Sequence, residues 1–277
     1  MVYFTPRSLD EALQHLSAGA ATVLAGGTDV YPALGGRDLP DPVVDISALA
    51  ELRGITETDR GFRIGGLTTW SGIQKTALPP AFDGLKAAAA QVGGLQIQNA
   101  GTIAGNLCNA SPAADGVPPL LTLDAVVELT SARGQRRLAL SEFLNDVRRT
   151  ARKPDELLTA VHIPAPSPDS KSAFVKLGAR RYLVISIAMV AALVRCDKDG
   201  RIAEARIAAG ACSPVARRLT ALEADLVGQD PAAPEISNDH LAPLAPIDDP
   251  RGTAGYRLQA AAELCRRAIG KAGGTDG

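Results

Sequence analysis

The sequence predicts an α+β chain in two domains, and three observations predict it. The chain has 277 residues, more than a single hydrophobic core usually organises. Its first part reads as strand, crossover and strand, followed by segments of antiparallel hairpin type. A proline-rich stretch then separates these from two long apolar strands and two helical patterns. This places a first domain over 1–168, in two α/β lobes of about 1–55 and 56–168. A smaller domain with an antiparallel sheet and helices follows over 169–277.

Each element has its own signal. Ser8 and Glu11 form a capping-box pattern, Leu9, Ala12, Leu13 and Leu16 line one helical face, and Gly19 marks the stop. Thr22-Val23-Leu24-Ala25 reads as a buried strand running into Gly26-Gly27, and Val43 to Ile46 as a second strand. Phe62 to Gly65 is a strand, a short helix carries Trp70 and Ile73, and an alanine-rich helix spans Ala81 to Val92. Ala125 to Leu129 and Arg137 to Leu140 flank Arg133-Gly134 as a hairpin. Leu157 to Ile163 is a strand that stops at Pro164. Pro164 to Ser170 is the domain boundary. Beyond it, strands at Ile185 to Arg195 and Arg201 to Ala209 meet at a turn over Asp197 to Gly200. Helices are expected at Arg217 to Leu226 and Tyr256 to Ile269, with a long surface connection from Gln229 to Pro250 between them.

Bulk properties exclude several classes. Hydrophobic residues make up 46% and charged residues 21%, the balance of an ordinary folded protein. The formal net charge is −1 with no basic run, so nucleic acid is not the partner, because neutralising phosphates requires a concentrated basic face. No export signal and no apolar segment of membrane-spanning length is visible, which reads as cytoplasmic. Cys108, Cys196, Cys212 and Cys265 are far apart and form no C-x-x-C pair, so no zinc or iron–sulfur cage is expected here. The three histidines are scattered, and neither a catalytic nor a metal site is assigned.

Two glycine-containing segments carry the chemistry. In Leu24-Ala25-Gly26-Gly27-Thr28-Asp29 a strand ends on two glycines, which can turn sharply and offer successive N–H groups to an anion. A short helix from Asp29, with Val30 and Leu34 inward, would add its dipole, and Asp29 itself is expected to cap backbone amides. The second segment runs from Gln96 to Asp115 and includes Gly101-Thr102-Ile103-Ala104-Gly105-Asn106 and Asn109. Its small residues are too many for a packed helix or strand, so it reads as a long functional loop. Its polar groups suit a large polar ligand. Ser111-Pro112 reads as the start of a helix pointing back at that loop, with Asp115 one turn in and able to accept from sugar hydroxyls. Neither the G-x-G-x-x-G fingerprint nor the G-x-x-x-x-G-K-[ST] loop is present. The ligand expected is therefore a dinucleotide held by another fold.

At these segments the chain resembles the FAD-binding medium subunit of the molybdenum hydroxylases, the xanthine dehydrogenase and carbon monoxide dehydrogenase family. Ala25-Gly26-Gly27-Thr28-Asp29-Val30-Tyr31-Pro32 and Asn99 to Asp115 carry the likeness, and with the C-terminal part it covers essentially the whole chain. The resemblance implies a vanillyl-alcohol-oxidase-type (PCMH) FAD domain. It implies FAD held by backbone of Ala25 to Tyr31 and of Thr102 to Asn106. Asp115 and Lys176 would lie near the cofactor, Leu157 beside flavin or adenine, and the run Tyr182 to Ala188 near the isoalloxazine. Judged by residue type alone, Lys176 would equally be an exposed strand lysine. Two departures from the family pattern stand out: Ala104 for a glycine, and Gln98 where arginine is frequent.

The same resemblance implies an electron-transfer role. Molybdopterin would sit on a large partner subunit and 2Fe–2S clusters on a small one, with electrons leaving this FAD for NAD+, a quinone or oxygen. A stand-alone FAD-dependent oxidase or dehydrogenase, and a scaffold that has lost FAD, remain open on the sequence.

Overall fold

A computed structural model describes residues 2–180 and 183–275. Tyr182, which opens the run expected near the isoalloxazine, lies outside the described residues.

The N-terminal helix forms over Leu9–Ser17 because Ser8 Oγ accepts from the Glu11 N–H while the Glu11 carboxylate accepts from the Arg7 N–H. It buries Ala12, Leu13 and Leu16, and ends on Ala18, one residue before the expected glycine. These side chains pack on a wholly parallel three-stranded sheet ordered Tyr3–Phe4, Val43–Asp45, Thr22–Leu24. The edge pair Tyr3–Phe4 is too short to show an alternation in sequence.

The second sheet is antiparallel, in the order Ile55–Thr58, Gly61–Gly65, Leu157–Pro164, Val126–Ser131, Gly134–Ala139. Leu157–Pro164 reads as an almost unbroken buried run because it is the central strand. The expected hairpin closes with Ser131 paired to Gly134, which holds a φ of +131°. Trp70, Ile73, Phe82, Leu85, Ile103 and Leu107 join Ile64, Val127, Leu129 and Val161 in the largest core. The alanine-rich helix is shorter than expected, Asp83–Ala89, because a tight turn at Pro80–Phe82 precedes it.

Pro164 to Ser170 leads from this sheet to a four-stranded antiparallel one, ordered Lys171–Leu177, Ala188–Cys196, Ile202–Gly210, Arg217–Arg218. In Ala188–Cys196 the two-residue period divides the side chains between two cores. Ala188, Val190, Ala192 and Val194 face the C-terminal helix Ala254–Ala272, whereas Met189, Ala191 and Leu193 pack towards the first 168 residues. The helix expected from Arg217 begins only at Thr220, since Arg217–Arg218 is used as an edge strand. Between Gln229 and Pro250 the chain forms one short turn of helix, Asp239–Leu241, as expected for a surface connection.

Candidate functional site

Both glycine segments line one cleft of about 790 Å³. Its lining includes Ala25, Gly26, Gly27, Thr28, Asp29 and Val30 on one side and Gly101, Thr102, Ala104, Gly105, Asn106, Asn109 and Asp115 on another. Leu157 and Leu158 close a third side, and Leu183, Val184 and Ile185 a fourth. Helix Val30–Leu34 buries none of its residues, so the first segment stays at the surface of the lobe.

Gly26 is a glycine for a packing reason. A Cβ there would collide with the Ala100 carbonyl oxygen, so its absence lets the two segments touch. Gly27 takes a φ of +68°, and a Cβ on it would strike the Tyr31 ring. Within the described chain no hydrogen bond engages the N–H groups of Gly26, Gly27, Thr28 or Asp29. A run of free amides at a glycine turn forms an anion-binding concavity. Asp29 makes no side-chain cap, contrary to expectation, because its N-cap position holds helical rather than extended backbone.

The second segment corrects the sequence reading more strongly. It is not a loop: Leu95–Ala100 and Ile103–Asn109 are helices, separated only by Gly101-Thr102. Small residues are tolerated because neighbouring backbone packs tightly on them; Ala104 lies against Gly66, for instance. Thr102 is the N-cap and accepts from the Gly105 N–H at 3.1 Å. The Ile103 and Ala104 N–H groups donate to the Thr68 and Gly66 carbonyls, and Asn106 N–H to Thr102. The start of this helix is therefore hydrogen-bonded inside the protein. No helix starts at Ser111-Pro112. Ser111 opens a turn by accepting from the Ala113 and Ala114 N–H groups, and the next helix is Val117–Thr122 behind Gly116.

Asn106 Oδ1 is buried and has no partner among the described residues. In a cleft wall, an orphaned acceptor of this kind is a mark of a ligand contact, since leaving it unpaired costs free energy. Asp115 behaves otherwise. Its Oδ2 accepts from Lys176 Nζ and its Oδ1 from Ser186 Oγ, both at 2.6 Å. Burial pushes the Asp115 carboxyl above its ordinary range, against the pull of the Lys176 ammonium and the Ser186 hydroxyl. Lys176 is thus a buried partner of Asp115 and not an exposed strand lysine. Lys176 and Ser186 together tie Lys171–Leu177 and the Leu183–Ile187 wall to the second glycine-bearing segment. On its other side the wall is held to the C-terminal helix by Arg257, which donates to the Ile187 carbonyl.

The remaining expected residues fall around this cleft. Leu24 is buried behind it, Ile103 lies in the core, and Tyr31 is exposed with its ring over Gly27. Gln98 is buried away from the lining, accepting from Gln74 and donating to the Ala90 carbonyl. An arginine there would bring a charge into a neutral network. Sequence reasoning missed the cleft residues Trp70, Val92 and Arg152; Ser186, within the run expected near the isoalloxazine, lies behind the wall on Asp115. Trp70 had a signal: it is the sole tryptophan, and Gly101 and Gly116 both lie against its ring. No group of three or more His, Cys, Asp and Glu side chains among the described residues could hold a metal, and no described helix is long and apolar enough to cross a membrane.

The FAD binding domain family of molybdopterin dehydrogenases matches residues 1–166, and the CO dehydrogenase flavoprotein C-terminal domain family matches 173–272. The chain belongs to this family of FAD-binding oxidoreductase subunits, and its cofactor is FAD. It is 39% identical to the nicotinate dehydrogenase FAD-subunit of Eubacterium barkeri over 206 residues, 72% of this chain and 70% of the relative. It is 34% identical to a putative xanthine dehydrogenase FAD-binding subunit of Escherichia coli, covering 98% of this chain and 95% of that one. A chain of the copper- and molybdenum-containing CO dehydrogenase, solved in a cyanide-inactivated form, superposes with a TM-score of 0.91 at 28% identity, covering 100% of this chain and 98% of that one.

Proposed function

We propose that this chain is the electron-relaying FAD subunit of a heteromeric molybdenum hydroxylase in the cytoplasm. In this reading a molybdopterin-binding large subunit oxidises the substrate, and an iron–sulfur small subunit passes the electrons to this chain. An external acceptor then takes them. The observation that carries the reading is the asymmetry of the cleft. Free amides gather at Gly26 to Asp29, whereas Ile97, Leu183 and Ile185 form an apolar rim exposed to solvent. Such a rim is where a redox partner can approach an otherwise enclosed cofactor.

The bound flavin supplies the redox chemistry; the chain supplies position. The free N–H groups of Gly26, Gly27, Thr28 and Asp29, with the Thr28 hydroxyl, would hold the pyrophosphate. The unpartnered Asn106 Oδ1 would accept a donor from the cofactor, and Ala25, Thr102, Ala104 and Gly105 would provide close surface. Asp115, with Lys176 and Ser186, holds the Leu183–Ile187 wall in place, and Leu157 and Leu158 supply an apolar side. The division at about residue 168 gives one FAD-binding domain and one that closes the cleft.

The untagged native protein tests this. It is expected to be yellow, to release FAD on denaturation, and to co-purify with molybdenum- and iron-containing chains. Its flavin is expected to bleach with substrate only in their presence. A lone chain whose flavin is reduced directly by a small organic substrate would overturn the relay in favour of a stand-alone oxidase.

A further inference from the structure

Resting on that cofactor assignment, we propose that Arg152 is the cation that balances the diphosphate of FAD. The cofactor's diphosphate brings two negative charges into the cleft. Among the described lining residues the charged side chains are Asp29, Asp115 and Arg152. Asp115 is already balanced by Lys176, and Asp29 adds to the negative side. Arg152 is therefore the one cationic side chain among the described lining residues.

Its geometry suits the task. Nη1 donates to the backbone carbonyls of Glu156 at 2.8 Å and Lys153 at 3.2 Å, which fixes the guanidinium plane. The turn that holds it is itself anchored, because the Glu156 carboxylate accepts from Arg136 Nε and Nη2 and from the Lys153 N–H. Nε and Nη2 of Arg152 have no partner among the described residues, and no described carboxylate pairs with it. Two guanidinium donors on one edge form the fork that matches a phosphate.

Neighbouring cations are committed elsewhere. Arg148 donates to the Asn109 side chain and carbonyl, and Arg53 to the Ser47 and Leu67 carbonyls; neither lines the cleft. The amides that start helix Ile103–Asn109 are spent on Thr68, Gly66 and Thr102, so they cannot stand in for a cation.

Titration of the full-length apoprotein with FAD and with ADP tests the assignment in wild type, Arg152→Gln and Arg152→Lys. Arg152→Gln is expected to weaken both ligands at least about tenfold and to flatten the salt dependence of FAD binding, as loss of one charge-assisted contact requires. Arg152→Lys is expected to recover part of the loss, and the melting temperature of the apoprotein to change little, since glutamine can still donate to the Glu156 carbonyl. Binding of FAD and ADP by Arg152→Gln within twofold of wild type would overturn the assignment, as would a change in apoprotein melting alone. Failure of wild type to bind FAD at all would sink the cofactor reading itself, an outcome separable from a normal wild type with an unaffected variant.

Discussion

Two glycine-bearing segments that look alike in sequence do different work. Around Gly26 the chain lies at the surface and its amides are free. Around Gly105 it is the first turn of a helix, and the amides there are bonded to Thr68, Gly66 and Thr102. Gly26 is required by contact with another backbone, whereas Gly105 is exposed to the cleft. A glycine motif therefore does not say whether the missing Cβ makes room for a ligand or for the protein itself.

The sharpest test of this division is the buttress behind the second segment. Lys176→Met leaves the buried Asp115 carboxylate without its cation and is expected to destabilise the apoprotein by about 3–5 kcal/mol. Chemical denaturation measures it, and an unchanged midpoint would show the pair to be dispensable. Next, Gly26→Ala is expected to cost about 1–3 kcal/mol through overpacking against Ala100. Gly105→Ala, in contrast, sets its Cβ against the Thr102 hydroxyl rather than against backbone, and should weaken FAD binding while costing the apoprotein less stability than Gly26→Ala. If the two glycines prove equally costly to apoprotein stability, the contrast drawn here is wrong.

Smaller effects sharpen the comparison. Thr102→Ala removes the cap of helix Ile103–Asn109 and is expected to cost about 1 kcal/mol, whereas Asp29→Ala, at an N-cap that makes no bond, should be near neutral by the same denaturation assay. The smallest effect concerns acid. Donation from Arg136 holds the Glu156 carboxyl below its ordinary range, with burial opposing it. A depressed carboxyl contributes stability that is present above its unfolded pKa and lost as pH falls through the folded value. Glu156→Gln should therefore flatten the decline in stability below about pH 4.5, read from denaturation midpoints across pH. An identical acid profile would show that the Arg136 pair contributes nothing.

Much of the fold was legible because local signals agreed with tertiary need. The Ser8 cap, the parallel order around Val43–Asp45 and the Ser131–Gly134 hairpin were all readable. Lys176 and Arg152 were not. Their roles depend on which carboxylate or carbonyl lies opposite across 61 residues for Lys176 to Asp115, or on which edge of a guanidinium a turn leaves free. Leu95–Ala100 and Ile103–Asn109 failed for another reason: Gly101, Thr102, Gly105, Asn106 and Asn109 have low helix propensity, and tertiary packing overrides it.

By itself the sequence determined the class of element in most segments, the pair of glycine motifs and the family they belong to, because these depend on periodicity and residue type at short range. Only the tertiary structure decided which amides remain free, that Asp115 is bonded to Lys176 and Ser186, and that Arg152 is the one cation among the described lining residues. Hydrogen bonds and charges are satisfied by whatever lies closest in space, and that neighbour is set by the packing of distant elements.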